Sequence, residues 1–263
     1  MTKIKGIIFD WAGTTVDYGC FAPVEVFLNI FKNIGVEVTL EEARKPMGVL
    51  KIDHIRTMLE MNSVQEKFEA AHHRPSTEED VKALYEKFET ELMQTLKNYT
   101  TPIPGVVDTV DALRRKGYKL GSTTGYTKEM MDVVKSEAFK KGYRPDKLVT
   151  ADMVGGYGRP YPYMIFENMK ILEIASVKEV VKVGDTESDM KEGINAGVWT
   201  IGVIEGSSIL GYSEAEFEQL SGNDKAVEYD RVTKALQQAG ANKVIKNITE
   251  LPDMIATIDK EME

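Results

Sequence analysis

Three carboxylates, a Thr-Gly pair and a guanidinium stand where phosphate chemistry would need them. Asp10 follows the apolar run "GIIF" and opens the Gly/Thr loop "WAGTT". Asp185 closes "EVVKVG", and Asp189 follows four residues later in "GDTESD". Thr124 and Gly125 end "YKLGSTTG", and Arg159 lies in "GRPYP". Carboxylates arriving from separate strand ends suit Mg2+, a hard cation that takes oxygen ligands and keeps waters or phosphate oxygens around it. The Thr124 hydroxyl, the Gly125 amide at a helix N-terminus and the Arg159 guanidinium could together hold a dianionic phosphate. Singly, each is an ordinary turn, cap or solvated residue. Their succession, each after its own strand, makes coincidence a poor explanation. One feature runs against a simple two-acid site: Ala12 stands two residues after Asp10, where many phosphoryl-transfer enzymes carry a second carboxylate.

A second constellation lies in "EEARKPMGVLKIDHIR". Lys51 sits between Leu50 and Ile52 on a helical pattern, with His54 one turn on. A lysine whose pKa is lowered by desolvation is the residue type that forms imines with carbonyl compounds. On spacing alone, Lys51 reads as an ordinary solvated helix lysine more often than as a reactive one.

The elements that must position these groups fall into two kinds. "KIKGIIFD" predicts a buried strand, and from about Phe21 to Tyr99 helical periodicity takes over. There "PVEVFLNIFKNIG", "VLKIDHIRTMLEM" and "STEEDVKALYEKFETELMQTLKNY" are amphipathic, the last capped by Ser76 or Thr77. After the junction "TTPIPG", strand and helix patterns alternate: "YKLGSTTG", "KLVTADMV", "EVVKVGD" and "VWTIGVI" read as strands with helices between them. The tail "NKVIKNITELPDMIATIDKEME" predicts a short strand and a closing helix. The expected class is α/β: a Rossmann-like parallel sheet core with helices on both faces, plus an all-helical cap inserted after the first strand. The corresponding domains are 1–19 with 100–263 for the core and 20–99 for the cap. In such sheets ligands bind beyond the carboxyl ends of the strands, where the polar set falls.

Composition narrows the classes. The chain has 263 residues, 42% apolar and 29% charged, the profile of a soluble globular protein. Its apolar runs fall well short of the roughly 20 residues of a membrane span, and no basic segment followed by an apolar one opens it as a secretory leader would. The single cysteine, Cys20, forms no intramolecular disulfide and fits a reducing, cytoplasmic setting. A net charge of −9 argues against broad nucleic-acid binding.

These motifs resemble the haloacid dehalogenase superfamily of phosphotransferases: "FDWAGT", "STTG", "GRP" and "GDTESD" are similar to its four motifs in order. The resemblance implies that Asp10 is a nucleophile and metal ligand, that Ala12 offers its backbone carbonyl to Mg2+, that Asp185 is a further ligand, and that Asp189 supports the metal through its waters. Arg159 stands where the third motif usually supplies a lysine. The whole set, with "FDWAGTTVDYGCFAP" and "ARKPMG" before "LKIDH", closely resembles the phosphonatase family over essentially the full chain. It implies cleavage of the carbon–phosphorus bond of phosphonoacetaldehyde in 2-aminoethylphosphonate degradation, with Lys51 forming a Schiff base. It also places His54, Met47, Cys20 and Tyr126 near the imine and Thr124, Gly125 and Arg159 around the phosphonate. The family further implies a homodimer through the cap, for which the Val24, Phe27, Leu28 and Phe31 stripe is a candidate, although such stripes are more often intramolecular core. A phosphatase or phosphomutase of the superfamily, or a non-catalytic relative, are the competing readings. Ala12 weighs against the former because an alanine cannot protonate a departing alkoxide.

Overall fold

The computed structural model describes residues 3–262; the expected core domain's Met1, Thr2 and Glu263 lie outside the described residues. Its centre is a parallel five-stranded sheet in the order β2-β1-β3-β4-β5. The strands are β1 (Gly6–Phe9), β2 (Lys119–Ser122), β3 (Val180–Gly184), β4 (Trp199–Val203) and β5 (Lys243–Ile245). β1 is buried along its whole length and pairs on both sides, Ile7 opposite Leu120 on one and Val181 on the other. Such continuous apolar runs are what a sheet covered on both faces requires.

Side-chain alternation along β1 feeds two separate packing layers. Ile7 and Phe9 join a cluster with Val106, Val110 and Leu113 of α6 (Val106–Arg115) and Ile255 and Ile258 of α12 (Leu251–Glu261). Ile8 instead meets Ile165 and Met169 of α8 (Tyr163–Ile171). The remaining helices on this side of the chain are α7 (Lys128–Lys140), α9 (Glu187–Ala196), α10 (Glu214–Gln219) and α11 (Gly222–Gln238). α9 starts at a reciprocal cap in which Thr186 and Asp189 hold each other's backbone amides.

Between β1 and α6 the described chain is helical: α1 (Phe21–Lys32), α2 (Leu40–Arg44), α3 (Lys51–Glu60), α4 (Asn62–His72) and α5 (Glu78–Thr95). Of the two cap candidates for α5, Thr77 is the one used, its N–H and hydroxyl both donating to Asp80. The chain leaves and re-enters the sheet region by adjacent segments, with Val16 bridged to Pro102 and the Asp17 N–H donating to the Thr101 carbonyl at 3.2 Å. Val24, Phe27 and Phe31 are buried within this single chain, Phe27 stacking on Phe88 at 4.4 Å, so most of the apolar stripe of α1 is intramolecular core; Leu28 is half-buried at its edge.

The structure corrects the sequence in several places. "KLVTADMV" is not a strand: only Val149 forms a bridge, to Thr123. The Asp146 and Lys147 amides both donate to the same Leu120 carbonyl, so no regular ladder is established, and a helical turn follows at Ala151–Val154. α10 and α11 occupy a stretch to which the sequence patterns assign no element. Among the described residues, no helix is long and apolar enough to cross a membrane.

Candidate active site

The sheet order reverses between β1 and β3, since the chain passes from β1 to β2 on one side and then to β3 on the other. Loops leaving two such strands diverge to opposite faces and open a crevice between them. Asp10 is the first residue after β1 and Asp185 the first after β3, so the topology itself brings them together. Carboxylate oxygens of Asp10, Asp185 and Asp189 all lie within 4.8 Å of one another, and all three residues are buried. Asp185 precedes α9, whose N-cap is Thr186, so the turn between Asp185 and Asp189 makes their approach rather than a shared helix face.

Each carboxylate has a different environment. Asp185 accepts from the Thr14 hydroxyl and the Ser208 amide, both at 2.8 Å. Burial, reinforced by the charges of Asp10 and Asp189, pushes its carboxyl up to about 8. Asp10 is also raised, chiefly by burial, against the pull of Arg159. For Asp189 burial is outweighed by Arg159 and Lys182, which hold it below the usual carboxylate range.

Arg159 is wholly enclosed rather than solvated. Its Nη2 donates to Asp10 at 2.6 Å, its Nη1 pairs with Asp189 at 3.0 Å, and its Nε with Glu192 at 3.0 Å. Burial alone would disfavour the cation, but these three carboxylates together more than offset it. Lys182, buried in the middle of β3, completes the network with Asp189 at 2.9 Å, Glu192 at 3.1 Å and the Thr123 hydroxyl at 2.7 Å. Lys182, Glu192 and Thr123 are absent from the sequence-derived set. A lysine interrupting the apolar run "EVVKVGD", and a glutamate three residues after Asp189 on one helix face, are the signals that mark them.

Four buried carboxylates, Asp10, Asp185, Asp189 and Glu192, are thus opposed by two cations, Arg159 and Lys182. A divalent cation would balance this set, and an all-oxygen donor cluster is what Mg2+ takes. The residues fit the ion. Asp189 already spends its carboxylate on α9's cap and two cations, which suits a place behind the direct ligands.

Facing this cluster is a narrow cleft lined by Asp10, Ala12, Cys20, Met47, Gly48, Lys51, Thr124, Gly125, Tyr126, Arg159 and Thr186. The helical insert and the strand-end loops both contribute walls. Thr124 and Gly125 lie before Thr127, the cap of α7, so the Gly125 amide belongs to the loop and not to the helix N-terminus expected from sequence. A Cβ on Gly125 would sit 2.5 Å from the Val49 carbonyl, so only glycine lets the 47–50 segment seat this closely.

Lys51 is only 5% exposed, which removes the solvated reading. Its Nζ lies 3.8 Å from the Met47 sulfur and 5.2 Å from the centre of the Tyr126 ring, and among the described residues it makes no ion pair. Burial lowers its pKa, only partly countered by Cys20 and Asp10. His54 is fully buried behind it, stacked on Phe27 at 4.0 Å. Burial, then the Lys51 charge, keeps His54 well below the usual histidine range, so the ring is neutral. Its Nε2 donates to the Ala43 carbonyl at 2.9 Å, leaving Nδ1 as a lone-pair acceptor without a partner among the described residues. Cys20 and Tyr126 are both pushed well up by burial and remain a thiol and a phenol.

A family description, haloacid dehalogenase-like hydrolase, matches residues 7–203. The chain is 55% identical over 260 residues to phosphonoacetaldehyde hydrolase of Lysinibacillus sphaericus (strain C3-41), covering 99% of this chain and 97% of that protein. The chain belongs to the phosphonoacetaldehyde hydrolase family of haloacid dehalogenase-like hydrolases. The family's Bacillus cytotoxicus phosphonoacetaldehyde hydrolase is 53% identical, over 98% of each chain. A phosphonoacetaldehyde hydrolase-like protein of Oleispira antarctica superposes with a TM-score of 0.95 at 35% identity, covering 98% of this chain and 94% of its own. The α/β fold of the family is therefore this chain's fold.

Proposed function

We propose that this chain hydrolyses the carbon–phosphorus bond of phosphonoacetaldehyde to acetaldehyde and phosphate, with Asp10 as nucleophile and Lys51 as the imine-forming amine. What carries the reading is a buried lysine, without a counter-ion among the described residues, facing a buried aspartate across one cleft. Residues 20–99 act in it as a cap over a core of residues 1–19 and 100–263.

The Lys51 amine adds to the aldehyde carbon and water leaves, giving an iminium. In this reading the Nδ1 lone pair of His54, which has no partner among the described residues, takes a proton from the amine and returns it to the departing hydroxyl. Asp10 then attacks phosphorus while the electron pair of the C–P bond moves onto carbon and into the iminium, forming an enamine. Water hydrolyses the aspartyl-phosphate to phosphate; protonation of the enamine carbon and hydrolysis of the imine release acetaldehyde. Arg159, Thr124 and Gly125 hold the phosphonate oxygens, and Met47, Cys20 and Tyr126 keep the surroundings of the imine neutral. Asp10, the Ala12 carbonyl and Asp185 would hold Mg2+, which when bound neutralises phosphonate charge, with Asp189 behind them. A carbon leaving group stabilised as an enamine has no alkoxide oxygen to protonate, so Ala12 is consistent with the bond being cut. A homodimer through the cap would need a surface other than the buried Val24, Phe27 and Phe31 stripe.

Borohydride added with phosphonoacetaldehyde should reduce the imine to a stable adduct that mass spectrometry locates at Lys51, and Lys51→Arg should form none. Nucleophile removal costs on the order of 10⁴-fold or more, and Asp10→Asn should lose that much turnover. No adduct in the wild-type protein, or full C–P cleavage by Lys51→Arg, would sink the imine mechanism. Fast hydrolysis of simple phosphate esters would instead favour a phosphatase.

A further inference from the structure

Arg44, the last residue of α2, carries a charge that the mechanism does not use. It forms no ion pair among the described residues. Its guanidinium instead reaches out of the helical insert to three backbone carbonyls on other segments. Nη1 donates to Gly19 at 2.6 Å and Ser208 at 3.1 Å, and Nη2 to Gly211 at 3.4 Å. The guanidinium also lies 4.9 Å from the Phe21 ring, at the start of α1. Gly19 belongs to the segment leading into the insert, while Ser208 and Gly211 belong to the loop after β4. That loop is tied to the same segment by the Gly19 amide, which donates to the Gly206 carbonyl at 2.7 Å.

Ser208 has a second role. Its N–H donates to Asp185 at 2.8 Å, so one peptide unit of this loop orients a carboxylate of the metal site while its neighbour's carbonyl is gripped from the insert. A planar guanidinium bridging several carbonyls fixes both distance and angle, which a point charge does not. We propose that Arg44 is a positioning residue: by clamping α2 onto the 206–211 loop it holds the Ser208 amide against Asp185 and couples seating of the insert to the metal site. The inference rests on the metal reading of Asp185 given above.

The test uses the full-length protein without substrate and Mn2+ as the probe, its free fraction read by electron paramagnetic resonance. Partners that orient a metal ligand are worth about 10–100-fold in affinity; Arg44→Ala should bind Mn2+ about tenfold more weakly, and Arg44→Lys, which keeps charge but not the fork, should fall between. Arg56→Ala, which removes the outer-face pair with Glu78, should bind like wild type. Equal affinity in wild type and Arg44→Ala overturns the coupling, as does an equal loss in Arg56→Ala. A wild-type protein that takes up no Mn2+ overturns the metal reading and the coupling with it. Should Arg44→Ala not fold, Arg44→Gln is read in the same way. Turnover of phosphonoacetaldehyde, measured separately, bears on the proposed reaction and leaves these outcomes unchanged.

Discussion

Two lysines are buried here, and their contrast separates a paired structural charge from the amine proposed to react. Lys182 faces Asp189, Glu192 and Thr123, so its charge is compensated. Lys51 faces a thioether and an aromatic ring. A buried polar group without a partner costs about 1–3 kcal/mol, so Lys51→Met, close in volume, should raise the unfolding free energy by about 1–2 kcal/mol while abolishing borohydride trapping. Denaturant unfolding and trapping on the same preparation check both halves. Only the neutral amine attacks a carbonyl, and burial shifts Lys51 toward that form. Trapping should therefore fall as pH drops through the Lys51 pKa, with this acid limb lying below the ordinary lysine range. A limb at the pH of a free lysine would contradict the burial. Motif order and residue type drew attention to Asp10 and Arg159 in the sequence, whereas Lys51 stood out only through the family resemblance, its spacing alone reading as that of a solvated helix lysine. Lys182 and Glu192 did not stand out, because a charge inside an apolar strand gains meaning only once its partners from α9 and the 159 loop are in place.

At the scale of elements, the seam between the 47–50 segment and the strand-end loops decides the geometry of the cleft. Displacing a reacting group by about 1 Å can cost on the order of 10²-fold, and a methyl at residue 125 would press on the Val49 carbonyl. Gly125→Ala is expected to lower kcat/KM by about 10²-fold with little change in melting temperature. The turn entering α1 offers a second test. Asp17 accepts from the Phe21 and Ala22 amides at 3.1 and 3.0 Å, yet burial pushes its carboxyl up to about 7. Between the unfolded value near 4 and about 7, the folded protein binds the additional proton. This group's contribution to stability is therefore full at the acid end and lost as pH rises through about 7. Asp17→Asn, an amide that tolerates the positive φ of this position, should flatten that slope in unfolding measured from pH 5 to 8. Periodicity picked out α1, α3 and α5 of the insert, each with one apolar face, but named neither the short α2 nor α4. It overread "KLVTADMV", where β-branched composition resembles a strand but the backbone amides crowd one acceptor, and it gave no sign of α10 and α11.

For the molecule as a whole, the excess of carboxylates at the end of the sheet would make stability and the proposed Mg2+ binding one equilibrium. A ligand held only by the folded state adds about 2.7 kcal/mol at a hundredfold its Kd, so Mg2+ should raise the melting temperature in a dose-dependent way and EDTA should reverse it. Asp185→Asn should blunt the response, and a response equal to that of Na+ would count against the metal site. The parallel α/β layout was readable from alternation alone, whereas the meeting of Asp10 and Asp185 depends on strand order, which sequence patterns do not carry. The paired segments at Val16–Asp17 and Thr101–Pro102 carry a different consequence. Because the insert begins and ends at neighbouring points beside the sheet, it can be exchanged for another without re-threading the strands. Under the proposed mechanism, the part that would attack phosphorus and the part that would choose what leaves it are then separable. A new reaction could be installed by grafting a different insert onto an untouched Asp10 loop.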